Sequence, residues 1–185
     1  MKQATSRRRS TRLKGHDYTG AGAYFVTVCT FQREPFLASL VGTEMTLTPE
    51  GFCVLQAWER LTSGRGSAEG DAFVVMPNHI HGIVVIHNSG VGAKHSELSN
   101  ASPLRTLSRS RGTVVGSLSA IIQNLKAVTS RRIRSLWGAR TRRVWQRGFY
   151  DHVIRNEADL RRIRTYIEEN PLRWVSDEYY ASGRE

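Results

Sequence analysis

Residues 71–86 read Asp71-Ala72-Phe73-Val74-Val75-Met76-Pro77-Asn78-His79-Ile80-His81-Gly82-Ile83-Val84-Val85-Ile86 and hold two of the longest uninterrupted apolar runs of the chain. The β-branched and aromatic residues predict strands at 71–75 and 79–86. Because only Met76-Pro77-Asn78 separates the runs, they predict an antiparallel hairpin or one long strand that Pro77 interrupts.

Upstream of this stretch, the pattern predicts one strand and one helix. Tyr24–Thr30 is again rich in β-branched and aromatic residues and predicts a strand. Thr48-Pro49-Glu50-Gly51 opens a helical pattern, in which Phe52, Leu55 and Trp58 recur at three- and four-residue spacing. Residues 64–70 predict a loop.

Downstream, two helices and one more stranded segment follow. Val114–Trp137 predicts a helix whose apolar positions are Val115, Leu118, Ile121, Ile122, Leu125, Val128, Ile133 and Leu136. Val144–Ile154 mixes aromatic residues and valine, and it predicts a strand or a pair of strands. Asn156 can cap a last helix that ends at Asn170-Pro171.

The resulting order is strand, helix, strand, strand, helix, strand, helix. It predicts an α+β, ferredoxin-like split βαβ sandwich, with an antiparallel sheet, helices on one face and an added C-terminal helix. Residues 1–20 predict a flexible basic arm, and 21–175 a single domain. The Ser/Gly/Asn-rich segment 87–112 predicts a flexible loop insertion, and 176–185 a tail.

The charge of the chain points to an anionic partner. The 185 residues include 27 Lys plus Arg against 16 Asp plus Glu, a formal net charge of +11. Such a surplus favours a nucleic-acid partner, although a merely solvated basic surface gives the same count. No apolar run approaches a bilayer span, and no signal-like core follows the basic N-terminus. Cys29 and Cys53 lack disulfide or ligand spacing, which suits a reducing compartment.

Two groups of residues could carry chemistry. On a strand, His79 and His81 share one face while Ile80 points to the other, so both imidazoles can reach a single divalent cation. Two hydrogen-bonded structural histidines fit the same pattern. On the last helix, Tyr166 and Asn170 lie one turn apart on one face. The phenol could attack a polarised phosphodiester beside an amide ligand, or it could be the edge of a packed helix.

Three motifs in order carry a family resemblance: Met76-Pro77-Asn78-His79-Ile80-His81, then Trp145-Gln146-Arg147-Gly148-Phe149-Tyr150-Asp151-His152-Val153-Ile154-Arg155, then Tyr166-Ile167-Glu168-Glu169-Asn170-Pro171. Together they resemble the REP-associated tyrosine transposases, a branch of the single-tyrosine HUH transposases. The resemblance covers about residues 15–175. It implies a DNA transposase that cleaves and rejoins single-stranded DNA, with REP-type hairpins as targets, through a 5′-phosphotyrosine intermediate.

The resemblance also implies roles for individual residues. Tyr166 is the nucleophile, and His79, His81 and Asn170 hold Mg²⁺ or Mn²⁺; insertion-sequence relatives usually have Gln where Asn170 stands. Tyr150 competes with Tyr166, but the resemblance gives Tyr150 a packing role. Candidate DNA contacts are Arg7, Arg8, Arg9, Lys126, Arg131, Arg132, Arg134, Arg142, Arg143 and Arg155. Candidate supports around the centre are Asn78, Gln146, Asp151 and His152.

Other functions stay open at this point. A DNA- or RNA-binding module without catalysis would bind but not cleave, and a metal-dependent hydrolase would cleave without a protein-linked product. A replication initiator or relaxase uses related chemistry but typically places its tyrosine ahead of the histidine pair. We expect a cytoplasmic, nucleoid-associated protein with no membrane partner, as a monomer or a homodimer.

Overall fold

The computed structural model describes residues 18, 20–41, 44–62, 68–87, 114, 116–138 and 142–176. In chain order the elements are β1 (Gly22–Cys29), β2 (Ala38–Val41), β3 (Glu44–Leu47), α1 (Pro49–Thr62), β4 (Ala68–Val75), β5 (His79–Ile86), α2 (Leu118–Trp137), β6 (Tyr150–Ile154) and α3 (Glu157–Glu169). Short 3₁₀ turns cover Phe31–Arg33 and Asn170–Ser176.

The main sheet has four strands in the order β4-β5-β1-β6, and every neighbouring pair is antiparallel. This order confirms the split βαβ sandwich, since β1 and the β4–β5 hairpin pair through the centre and β6 closes the edge. In the β1–β5 register, Thr27 lies opposite His81 and Cys29 lies opposite His79. The register therefore brings the start of β5 against the end of β1.

Alternation along the strands gives the sheet two apolar faces. On one face Tyr24, Val26, Ile80 and Val84 pack with residues of α1 and α2. On the other, Phe25 and Ile83 pack against α3. Two helices on one face match the prediction, and the added C-terminal helix covers the opposite face, the one that carries His79 and His81.

Gly82 follows His81 on β5, at a position where no larger residue fits. The Trp58 and Phe73 rings stack at a centroid distance of 4.3 Å. A Cβ atom at position 82 would come within 2.5 Å of the Trp58 ring. A glycine therefore lets the α1 face close over β5 directly beside His81.

Several predicted bounds are corrected by the structure. The short β2–β3 hairpin was not predicted, and β4 starts at Ala68, inside the predicted 64–70 loop. Helix α2 starts at Leu118 rather than Val114, because Gly116 has a positive φ of 80° and the Ser117 side chain caps the helix by accepting from the Ala120 N–H.

The predicted strand at 144–154 is also shorter in the structure. Only Tyr150–Ile154 forms a strand. Trp145 makes an isolated bridge to Thr30, and Gly148 has a positive φ of 85° that breaks the extended chain between them. Two predicted core residues, Phe52 and Leu136, are exposed.

The arm predicted for 1–20, the loop for 87–112 and the tail for 176–185 lie outside the described residues, apart from positions 18, 20, 87 and 176. Within the described part of the chain, no helix has the length and apolar character needed to cross a bilayer.

Candidate active site

The centre of the site is a pair of buried imidazoles on β5. Strand alternation directs His79 and His81 toward α3, and Ile80 packs on the opposite face, as predicted. The two Nε2 atoms are 3.0 Å apart, and the side chains are 0% and 1% exposed. The two nitrogens thus converge on one point beneath α3.

Each imidazole is oriented through its other nitrogen. His79 Nδ1 donates to Asn78 Oδ1 at 2.8 Å, since an amide oxygen only accepts, and this leaves His79 Nε2 with a lone pair. His81 Nδ1 lies 2.8 Å from the Thr27 hydroxyl, which can either donate or accept. Such outer contacts fix the ring orientation of histidines that bind metals.

Burial keeps both imidazoles neutral. Loss of solvation, together with smaller contributions from neighbouring His81 and Arg33, lowers the pKa of His79 to about 2. Burial likewise lowers the pKa of His81 to about 3. At neutral pH both side chains are therefore in the unprotonated form that can ligate a cation.

Helix α3 brings Tyr166 to this pair. The Tyr166 phenol oxygen is 3.4 Å from His81 Nε2, and its ring meets Phe25 edge to face at 5.9 Å. Asn156 caps the helix by accepting from the Asp159 N–H, as predicted. Arg164 Nε donates to both carboxylate oxygens of Asp71 on β4 at 3.1 Å, which ties α3 to the sheet.

Asn170 lies at the end of α3, one turn beyond Tyr166. It is 2% exposed, and its side-chain oxygen has no hydrogen-bond partner among the described residues. A buried amide oxygen without a partner loses free energy on folding unless a ligand supplies the missing contact. Farther along, the Trp174 ring lies 6.0 Å from the His79 ring.

These donors fit a divalent cation. In the described part of the chain, no three His, Cys, Asp or Glu side chains come together as a metal site. The Asn170 oxygen is a donor of another type that is buried in this region and has no hydrogen-bond partner among the described residues. Two neutral imidazoles and one amide oxygen are chemically suited to such an ion, with water completing its shell.

The four predicted supporting residues have different surroundings. Asn78 contacts His79 directly, as predicted. Gln146 is held at the end of β1 through its backbone N–H, which donates to the Cys29 carbonyl at 3.0 Å. His152 bonds Asp159 at 2.8 Å rather than His79 or His81. Asp151 is a correction: it pairs with Val26, and strand alternation directs it to the α2 side of the sheet, away from the imidazoles.

The residues predicted to contact DNA also have different surroundings. Arg131, Arg134 and Arg143 line one cavity with Lys126, whereas Arg142 pairs with Glu34 at 3.1 Å. Arg155 is exposed after β6, Arg132 is partly buried, and Arg7, Arg8 and Arg9 lie outside the described residues. Lys126 Nζ donates to the backbone carbonyls of Gln146 and Gly148 at 2.6 and 2.7 Å, and burial lowers its pKa to about 8.

Sequence reasoning missed two residues of the site. Thr27 contacts His81 only because of the β1–β5 register, which no local pattern reveals. Trp174 could have been found, because it follows Tyr166 and Asn170 at four-residue spacing on the same terminal segment.

Comparison with known proteins places the chain in a family. No protein-family model matches it. An uncharacterized protein of Haemophilus influenzae is 33% identical over 177 residues, which cover 94% of this chain and 93% of the relative. The chain belongs to the family of that protein.

One solved structure identifies the fold. A REP-associated tyrosine transposase bound to a REP hairpin matches with a TM-score of 0.55 and 20% identity, over 91% of this chain and 76% of that chain. The fold is that of a REP-associated tyrosine transposase. A candidate transposase from Deinococcus radiodurans R1 aligns more weakly, with a TM-score of 0.40 and 17% identity over 85% of this chain and 97% of that chain.

Proposed function

We propose that this protein is a DNA transposase that cleaves and rejoins single-stranded DNA, with Tyr166 as its nucleophile. One observation carries the proposal: the Tyr166 phenol oxygen lies 3.4 Å from a buried imidazole pair that is neutral at physiological pH. The REP-associated transposase of the same fold is bound to a REP hairpin. For this chain we propose hairpin DNA with single-stranded flanks as the substrate.

In this reaction the phenol oxygen of Tyr166 attacks the scissile phosphorus. An O–P bond to tyrosine forms, the bond from phosphorus to the 3′ oxygen breaks, and the phenol proton is released while the leaving oxygen becomes a 3′-hydroxyl. The 5′ end stays on the protein. Because one phosphoester replaces another, attack by a second 3′-hydroxyl reverses the step without ATP. Phe25 and His81 fix the position of the phenol from two sides.

A tyrosine with its ordinary pKa near ~10 is a weak nucleophile at neutral pH and needs an activated phosphate. His79, His81 and Asn170 would hold Mg²⁺ or Mn²⁺ here, and the bound cation would neutralise charge that develops on the phosphate oxygens. Asn78 and Thr27 orient the two imidazoles, so the ligand atoms are in place before the ion arrives.

The decisive experiment is adduct formation with a labelled DNA hairpin that carries single-stranded flanks, in Mn²⁺, followed by denaturing electrophoresis. Tyr166→Phe removes the nucleophilic oxygen and keeps the ring, so we expect no covalent product and nearly unchanged DNA binding. Tyr150→Phe is the matched control, since Tyr150 lies on the same sheet face, 6.4 Å from the Phe25 ring, and is 43% exposed.

An adduct that survives Tyr166→Phe, or that disappears only in Tyr150→Phe, would contradict the assignment of the nucleophile. Cleaved DNA without a protein-linked product would instead indicate hydrolysis by water.

A non-catalytic nucleic-acid-binding module is the second candidate, and the bond between the two histidines favours it. With His79 protonated at Nδ1, the 3.0 Å contact is satisfied when His81 donates from Nε2. A purely structural pair would keep that bond in Mn²⁺. Binding of the hairpin with neither cleavage nor adduct at any Mn²⁺ concentration would favour this candidate.

A further inference from the structure

A basic cavity of about 450 Å³ lies on the other face of the sheet, between α2 and the segment that leads to β6. It is lined by Lys126, Ala127, Ser130, Arg131, Arg134, Arg143, Val144 and Trp145. Four of these eight side chains are cationic and none is acidic. A concave surface that gathers cations without carboxylates selects an anionic ligand.

Most of this charge is not neutralised within the protein. Among the described residues, Arg131, Arg134 and Arg143 form no ion pair with a carboxylate, whereas neighbouring Arg142 is paired with Glu34 at 3.1 Å. Arg134 Nε donates to the Arg142 carbonyl at 3.3 Å, and Arg143 lies over the Phe31 ring at 5.6 Å. Guanidinium groups that are not paired with a carboxylate can make paired hydrogen bonds to phosphate oxygens.

Hydrogen bonds between α2 and the facing segment hold the wall of the cavity in place. Lys126 spans from α2 to two backbone carbonyls of the facing segment, those of Gln146 and Gly148. The buried Trp145 indole donates to the Thr129 hydroxyl at 2.9 Å and anchors the same segment to α2. The cationic side chains are therefore held around a defined space.

The cavity lies at the same end of the sheet as the histidine pair. The Gln146 N–H donates to the Cys29 carbonyl, and Cys29 is the cross-strand partner of His79. Because α2 packs on one face of the sheet and the histidines face α3 on the other, a polyanion that passes over this end of the sheet can meet both.

We propose that this cavity binds backbone phosphates of the DNA at nucleotides other than those at Tyr166. The identity of the polymer as DNA depends on the proposed function, whereas the phosphate chemistry depends on the cavity alone. The cavity adds affinity and helps to set which phosphate reaches the phenol, because contacts to phosphates fix the position of the nucleic acid without reading its bases.

The test compares Arg131→Ala/Arg143→Ala with Arg60→Ala, which removes an exposed arginine at the end of α1. The probe is a labelled DNA hairpin with single-stranded flanks, titrated at several salt concentrations, after circular dichroism has confirmed that each variant is folded. We expect the cavity variant to bind about tenfold more weakly at low salt, the effect of losing one charge-assisted contact or more. Its plot of log affinity against log salt should be shallower by about 0.7–0.9 for each lost phosphate contact. The Arg60 variant should match the wild type.

Unchanged affinity and slope in the cavity variant, or an equal loss in the Arg60 variant, would overturn the proposal. A second arm adds inorganic phosphate at constant ionic strength, and we expect it to weaken hairpin binding to the wild type more than to the cavity variant, because the free anion competes for the cavity. Equal weakening of both would also overturn the proposal. Failure of the proposed function is distinguishable, because a wild-type protein that makes no adduct can still show the cavity-dependent slope.

Discussion

Replacement of Thr27 by valine tests whether the histidine pair is built to receive a cation. Thr27 is 2% exposed, and its hydroxyl lies 2.8 Å from His81 Nδ1. Valine keeps the branched shape and removes only the hydroxyl, so the variant should keep β1 in place. The matched control is Thr27→Ser, which restores the hydroxyl and leaves out the methyl group.

The expected losses of stability and of metal affinity follow from the hydrogen bond that the Thr27 hydroxyl makes without and with a bound cation. Without a cation, His81 donates from Nε2 to His79, so the Thr27 hydroxyl donates to Nδ1. A cation held through Nε2 would require the His81 proton to be at Nδ1, and the Thr27 oxygen would then accept it. Loss of one buried hydrogen bond costs about 1–3 kcal/mol in folding. Loss of an outer contact to a metal-binding histidine weakens metal affinity by about 10–100-fold.

Two measurements separate these effects: Mn²⁺ affinity by calorimetry, and the free energy of unfolding in urea with a chelator present. We expect Thr27→Val to lose both, and Thr27→Ser to recover the affinity. A valine variant that binds Mn²⁺ as tightly as wild type while its urea midpoint falls would refute the reasoning, because the hydroxyl would then serve the fold alone. Nitrogen-15 spectra of the His81 ring should also show the proton at Nδ1 only when Mg²⁺ is present.

Three further predictions concern the sheet and the last helix. In a chelator, the free energy of unfolding should fall as the pH drops from 6.5 toward 3, because His79 and His81 bind protons in the unfolded chain but not in the folded one. The slope reaches about 2.7 kcal/mol per pH unit for the pair. If His79→Gln/His81→Gln showed the same pH dependence as the wild type, the prediction would be wrong. Gly82→Ala should destabilise the fold by about 1–3 kcal/mol, since its Cβ meets the indole ring at 2.5 Å; an unchanged urea midpoint would contradict this clash. Asp71→Asn should change stability by less than about 1 kcal/mol, because its pair with Arg164 is partly exposed, but should speed hydrogen exchange along α3; exchange equal to wild type would show that the pair does not hold the helix.

Local patterns predicted those parts of the site that lie within single elements. Period-two alternation placed His79 and His81 on one face and Ile80 on the other, and the helix period placed Tyr166 and Asn170 together one turn apart. The order of the elements then predicted the sheet, because a split βαβ pattern has few ways to pair its strands. The position of the phenol beside the imidazoles follows once α3 covers that face.

Local sequence patterns do not predict how elements that are distant in sequence pair with each other. The contact between Thr27 and His81 depends on the register of β1 with β5, and a slip of one residue would reverse it. The same dependence explains the correction for Asp151, whose face of the sheet is set by its pairing with Val26. Helical periodicity likewise cannot show that the segment before β6 lies against α2 and accepts two hydrogen bonds from Lys126.

A bound cation would account for the buried polar groups of the site together. His79, His81 and Asn170 are at most 2% exposed, in a region that apolar side chains could fill at lower cost. A structural role accounts for the two imidazoles, which bond each other, but not for the Asn170 oxygen, which has no partner among the described residues. A cation shared by the three groups would satisfy that oxygen and both Nε2 lone pairs at once. Buried polar groups without partners are commonly found where a protein binds a ligand or carries out a reaction. Here the buried polar groups include His81, which lies beside the phenol of Tyr166.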